Sequence, residues 1–351
     1  MMARTDRHCR YLLRQITART LLYSEMIHAE AVLRGDRHRL LAFDEAEHPV
    51  GLQLGGAEPD ALARAAEVGQ VFGYDEINLN IGCPSPRVRA GRFGAALMEA
   101  PDLVADCARA MIRAVDVPVT VKCRIGIDGR GAYEDLKAFV ETVAAAGVKS
   151  LAVHARIAVL DGLSPAENRE IPPLRYDVVR RLKRDLPTLE VVINGGVASL
   201  DEAKAHLDAV DGAMIGRAAY ADPAMLRAAD RCIFGAPARA MPSRHDIARA
   251  MLPYVRRTCA DGVPLHHITR HMLGLYAGRP GGRAWRRALG GGGHRPRAGA
   301  EVIEEALALV PERDSADEVP PRDAGRPNAG RGSGFAPPPA RESPSINSPA
   351  R

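Results

Sequence analysis

Short apolar runs rich in valine, isoleucine and leucine recur at residues 21–25, 50–54, 76–80, 118–123, 150–154, 190–194 and 212–215. Runs of this length, bounded by turn residues, predict strands buried in a parallel sheet. Between them, residues 59–72, 101–114, 133–146, 176–185 and 200–207 carry apolar positions at helical spacing, several opened by proline, serine or aspartate. Strand then helix, repeated, predicts a parallel α/β domain. Seven strands are legible, and the chain opens in a helical pattern over 5–16, where the helix after a first strand belongs. The expectation is a (β/α)8 TIM barrel whose first strand is missing from this chain. Such an opened barrel would expose two strand edges and be marginal unless the true start lies upstream. An open doubly wound sheet competes. Against it, polar residues cluster at the C-terminal strand ends (Glu25, Gln53, Asn80, Lys122, His154, Asn194, Arg217), the ring from which a barrel builds a site.

After Phe234 the alternation stops, and 244–260, 267–277, 284–289 and 300–309 predict helices, with a loop at the run Gly290 to Gly293. Beyond about residue 311, proline, glycine, serine and arginine dominate, and a segment with so few large apolar residues cannot offset its ordering entropy. The expected organisation is a catalytic barrel over 1–235, a small all-helical domain over 239–310 and a disordered tail over 311–351. A chain of 351 residues with 46% hydrophobic content supports one large core and a smaller module.

The formal charge of +5 is unevenly placed: residues 239–311 hold twelve arginines and no lysine against five acidic residues. An arginine-only excess suits bidentate phosphate contacts, so either an RNA partner or a solvated basic surface accounts for it. Six scattered cysteines without a C-x-x-C pair, and no signal peptide or long apolar run, point to a reducing cytoplasm with no metal site and no membrane.

The most specific chemistry lies in Asn78-Leu-Asn-Ile-Gly-Cys83-Pro-Ser85, where a lone thiol follows a buried strand, at the place an enzyme holds an acid. An inert core cysteine is the bland alternative. Lys122 closes the run Val-Thr-Val-Lys, and a strand-end lysine either serves a site or snorkels to solvent. Asn194-Gly195-Gly196 and Gly216-Arg217 follow the sixth and seventh legible strands, which would be strands seven and eight of a complete barrel, the usual phosphate loops.

Taken in order, Thr5-Asp-Arg-His-Cys-Arg, Leu52-Gln-Leu-Gly-Gly, Asn80-Ile-Gly-Cys-Pro-Ser, Val119-Thr-Val-Lys122, His154-Ala-Arg, Asn194-Gly-Gly, Ile215-Gly-Arg217 and His267-Ile-Thr-Arg-His-Met-Leu-Gly resemble the tRNA-dihydrouridine synthases, A branch, over roughly residues 1–310. The resemblance implies an FMN barrel that reduces a D-loop uridine of tRNA, at positions 20 and 20a, with NADPH as reductant. It makes Cys83 the acid that protonates C5 while a hydride reaches C6. It assigns Met1, Met2, Gln53, Lys122, His154, Asn194, Gly195, Gly196, Gly216 and Arg217 to FMN. Asn80, Arg169, Arg283 and Arg286 fall to tRNA. No G-x-G-x-x-G fingerprint occurs, so NADPH would bind over the flavin.

Three departures stand out. Ala3-Arg4 replaces Asp-Trp of the family's flavin-wall strand, Ile157 and Val159 replace a lysine and a tryptophan, and Gly290 to Gly293 fall where helix is expected. Two other classes stay open: an FMN reductase of a free pyrimidine, of the dihydroorotate dehydrogenase type, and a non-catalytic tRNA-binding relic. The expected assembly is a monomer.

Overall fold

Alternation inside the strands decides how this sheet is used. In Glu76-Ile-Asn-Leu-Asn-Ile81, Ile77, Leu79 and Ile81 are fully buried in the main hydrophobic cluster, which leaves Glu76, Asn78 and Asn80 on the opposite face. Val119, Val121 and Cys123 likewise alternate with Thr120, Lys122 and Arg124. The apolar face packs on the surrounding helices, and the polar face lines the barrel interior.

The computed structural model describes residues 1–237, 241–295 and 297–312. Arg239 and the segment 313–351, where a disordered tail is expected, lie outside the described residues. The strands β1 (Leu22–His28), β2 (Val50–Gly55), β3 (Glu76–Ile81), β4 (Val119–Arg124), β5 (Ser150–His154), β6 (Glu190–Asn194) and β7 (Gly212–Met214) pair in parallel in sequence order. This is the curled seven-stranded sheet of a TIM-barrel-like fold. β1 and β7 are its two edges. Across their C-terminal ends lies the first segment of the chain: Arg4 N donates to Glu25 Oε1 at 3.0 Å, and a Cβ on Gly216 would sit 3.4 Å from Met1 Sδ. A bulge in β1 between Tyr23 and Met26 inserts Ser24, whose Oγ accepts from Gln53 N at 2.9 Å in place of a backbone carbonyl.

The helices in chain order are α1 (Arg7–Arg14), α2 (Ala29–Arg34), α3 (Arg37–Leu41), α4 (Pro59–Val71), α5 (Pro86–Ala90), α6 (Pro101–Ala114), α7 (Tyr133–Ala145), α8 (Tyr176–Asp185), α9 (Leu200–Leu207), α10 (Arg217–Ala221) and α11 (Ala229–Cys232). The C-terminal helices are α12 (Arg244–Ala250), α13 (Leu252–Ala260), α14 (Leu265–Met272), α15 (Gly282–Gly292) and α16 (Glu301–Leu307).

Three expectations are corrected. The helix over 244–260 is two helices, because Pro253 enters the first turn of α13, where it needs no N–H partner. The glycine run is helical as far as Gly292, not a loop. A Cβ on Gly292 would lie 2.5 Å from Val302 Cγ1, so the glycines let α15 and α16 approach closely. Finally, α1 is not simply a barrel helix: Cys9, Leu12, Leu13 and Ile16 belong to the second hydrophobic cluster, with Ile268, Met272, Trp285 and Ile303 of the helical region. Residues Met1–Glu312 accordingly form one compact unit.

Polar contacts fix the same junction. Asp6 caps α1 by accepting from His8 N and Cys9 N, and it also accepts from Arg270 and from His271 Nε2 at 3.1 Å. The two motifs Thr5 to Arg10 and His267 to Gly274 thus meet. Beside them, the buried Arg10 Nε pairs with the buried Glu47 Oε2 at 2.7 Å. Among the described residues no helix is long and apolar enough to cross a membrane.

Candidate active site

Register places the candidate residues at the C-terminal ends of the strands. Asn80 lies opposite Lys122, Arg124 opposite His154, His154 opposite Asn194, and Asn194 opposite Met214. Cys83 is partly buried in the loop after β3. Asn80 Oδ1 accepts from Gly82 N and Cys83 N, each at 3.0 Å, while Cys83 O accepts from Ala95 N at 3.0 Å. Gly94, at φ +67, is required there, since a Cβ would come within 2.7 Å of Cys83 O. The thiol therefore rides on a loop tied at both sides.

Lys122 is partly buried, and desolvation with Arg124 alongside draws its ammonium down to about 8. Among the described residues that ammonium has no hydrogen-bonding or ion-pair partner. Burial, reinforced by Lys122, Arg124, Arg156 and Arg217, pushes the His154 imidazole down to about 2, so it is neutral at physiological pH. The C-terminal strand ends thus gather cations around one neutral ring.

Gly195 and Gly196 adopt φ of +105° and +75°. A Cβ at Gly195 would collide with the His154 ring, and one at Gly196 would meet Leu174 and the Tyr176 hydroxyl. Among the described residues, the N–H groups of Gly195, Gly196 and Gly216 have no protein acceptor. Asn194 Nδ2 donates to Met214 O at 2.8 Å and ties the two loops together. Arg217 is exposed and donates to Glu170 Oε1 at 2.9 Å and to Arg169 O at 3.2 Å. Arg169 is exposed at the same rim.

Met1 is partly buried and Met2 exposed at the open edge between β1 and β7. Gln53 and Asn80 are buried, each 8% exposed, and Asn80 Nδ2 donates to Gln53 Oε1 at 2.7 Å. Asn80 therefore acts first on its own loop, with one amide hydrogen left over. Arg283 and Arg286 sit apart from the cavity residues in the chain, exposed on α15. Between them Trp285 is fully buried and donates Nε1–H to Met272 O at 2.9 Å, so it packs the helical region.

Sequence reading missed Arg124 and Asn168. The buried Arg124 donates to Gly82 O, Ile157 O and Asn168 O, each at 3.0 Å, bracketing the loops after β3 and β5. Burial lowers it to about 10, leaving it a cation. Asn168, fully buried, holds the second loop by exchanging hydrogen bonds with Val159 at 2.8 Å in both directions. The alternation in Val-Thr-Val-Lys-Cys-Arg was the available signal for Arg124, since it puts that residue on the face of Lys122.

A parallel barrel with a thiol, a lone ammonium and free backbone donors at the C-terminal ends of its strands has the layout of a barrel enzyme. The profile described as dihydrouridine synthase (Dus) matches residues 1–309. The tRNA-dihydrouridine(20/20a) synthase of Xanthomonas campestris pv. campestris is 54% identical over 306 residues, spanning 87% of this chain and 90% of that protein. The enzyme of that name from Vibrio cholerae is 52% identical over 312 residues, 89% of this chain and 95% of its own. That of Escherichia coli K12 is 53% identical over 315 residues, 89% and 90%. The chain belongs to the dihydrouridine synthase family.

Proposed function

We propose that this protein reduces uridine to 5,6-dihydrouridine in the tRNA D-loop, at positions 20 and 20a, as a monomer in the cytoplasm. The observation that supports the reading best is the Cys83 loop standing after β3 beside Lys122 of β4 and His154 of β5, close enough for Lys122 to act electrostatically on both. FMN fits the groups present: the unmatched Lys122 ammonium suits the N1 and O2 edge, which is negatively charged in the reduced flavin, and the free N–H groups of Gly195, Gly196 and Gly216 suit a phosphate. Arg156 Nε is a further buried donor without an acceptor. Gln53, His154, Asn194 and Arg217 would complete the holding set, with the backbone of Met1 and Met2 at the open edge. When bound and reduced by NADPH, FMN supplies the hydride for C6 of the uracil.

The chain's own groups do the rest. Cys83 holds the proton that goes to C5, on the side away from the hydride, and needs its thiol form to do so. Asn80 and Arg124 hold the loop that carries the thiol. Neutral His154 fills the wall against Gly195 without competing for the phosphate.

The target base must leave its stack to enter, so the protein needs a grip on the rest of the RNA. The exposed arginines of α15 serve this. Arg249, Arg256 and Arg295 are each paired with a glutamate, whereas Arg283 and Arg286 have no ion pair among the described residues. Converting both to glutamine is expected to weaken tRNA binding and to flatten the slope of log affinity against log salt by roughly 1.5 to 2. A filter-binding salt series checks this, and an unchanged slope would remove α15 from the interface.

The proposal itself is tested by NADPH-dependent dihydrouridine formation in tRNA lacking D-loop modification, run beside free uracil and orotate. Turnover with tRNA alone is expected. Reduction of a free pyrimidine without tRNA turnover would make this a pyrimidine reductase, and tRNA binding without flavin or turnover would make it a relic.

A further inference from the structure

The interior of a (β/α)8 barrel is ordinarily filled by branched apolar side chains. Here one sector is polar throughout. Gln53, Asn78 and Thr120 lie directly opposite one another on β2, β3 and β4, with exposures of 8%, 1% and 6%. Leucine or valine would fill that space without burying polar atoms, so the polar set carries a desolvation cost that only its hydrogen bonds offset.

The hydrogen bonds run one way. Asn80 Nδ2 donates to Gln53 Oε1 at 2.7 Å, and Gln53 Nε2 donates to Asn78 Oδ1 at 2.9 Å. Asn78 Nδ2 donates to Thr120 Oγ1 at 2.8 Å, and Thr120 Oγ1 donates to Glu76 Oε1 at 2.5 Å. Tyr23 Oη donates to the same Glu76 oxygen at 2.7 Å. Both ends fix the direction. At the top, Asn80 Oδ1 receives two backbone N–H groups, which can only donate, so its amide cannot turn over. At the base, Glu76 Oε1 accepts from the hydroxyls of both Thr120 and Tyr23. Every amide between is left with one orientation, because reversing Gln53 or Asn78 sets donor against donor, and reversing Asn78 also draws the Thr120 hydroxyl off Glu76.

We propose that Glu76, Thr120 and Asn78 are positioning residues: from the barrel floor they fix which amide atom Gln53 turns toward the cofactor, and through Asn80 they hold the backbone of Cys83. The proposal rests on the site assigned above, in which Gln53 meets the flavin and Cys83 the uracil. None of the three floor residues needs to touch either ligand.

The test compares Thr120→Val, which keeps shape and removes the hydroxyl, with Thr120→Ser, which keeps the hydroxyl. Two quantities are read: the FMN dissociation constant from flavin fluorescence, and the iodoacetamide alkylation rate of Cys83 in flavin-free protein, resolved by peptide mass spectrometry. Thr120→Val is expected to weaken FMN about tenfold, the equivalent of one buried hydrogen bond, and to shift Cys83 alkylation severalfold. Thr120→Ser is expected to restore both. Wild-type values for both in Thr120→Val overturn the proposal, as does failure of serine to rescue. Should Thr120→Val not fold, Asn78→Ala cuts the chain one link higher, with the same expectations. Full dihydrouridine formation by a Cys83→Ala variant would sink the acid assignment, while the FMN titration would still report on the chain, so the two failures are distinguishable.

Discussion

Cys83→Ala is expected to lower NADPH-dependent dihydrouridine formation about 100- to 10,000-fold, the range that a positioned general acid contributes. FMN binding should survive, since no flavin-holding role falls to the thiol. The substitution removes one partly buried sulfur, and the loop keeps its ties from Asn80 Oδ1 and Ala95 N, which are made to the Cys83 backbone. Flavin reduction by NADPH is therefore expected to proceed at the wild-type rate, with the loss confined to the transfer to RNA. A single-turnover experiment with pre-reduced enzyme and tRNA separates the steps. Equal rates for the two proteins in that experiment would move the acid role elsewhere, and no other thiol lies on the interior face near the site: Cys123 points to the helix side of β4, fully buried.

The barrel was legible because parallel strands buried on a helix-covered face read as apolar runs. Ser150–His154 and Glu190–Asn194 match the expected bounds residue for residue. The β1 strand runs three residues past the expected end, to His28, because the bulge at Ser24 lets the chain resume pairing after Glu25, and a bulge leaves no mark on hydrophobic pattern. Glycine preference misled at Gly290 to Gly292. Intrinsic propensity disfavours helix there, but close helix packing against Val302 overrides it.

The site divides along the same line. Cys83, Lys122 and the Gly195–Gly196 loop stand at strand ends, where position alone marks them. Arg124 and Asn168 act by holding the loops after β3 and β5, and Asp6 by meeting His271 from the far end of the chain. Such contacts depend on which loops the fold brings together, and no local spacing encodes that.

Lys122→Met is expected to weaken FMN binding by about 10- to 100-fold, consistent with removing a buried charge partner of an anionic ligand. The pH dependence gives a sharper signature. In the flavin-free protein, burial and the neighbouring Arg124 hold the Lys122 ammonium at about 8. An anionic cofactor favours the charged lysine, so the pKa rises on binding, and above about 8 the protein must take up a proton to bind. Affinity is therefore highest below pH 8 and falls as pH rises through it, by up to about tenfold per unit until the bound-state pKa is reached. Lys122→Met should bind weakly with no such decline, because methionine removes the proton that couples the two. Fluorescence titrations of FMN between pH 6.5 and 9.5 measure both proteins under the same conditions. A wild-type affinity that stays flat across this window would place the lysine away from the N1 and O2 edge of the flavin and from its phosphate. The glycine loops would then be left as the main anion site, since their backbone donors do not titrate.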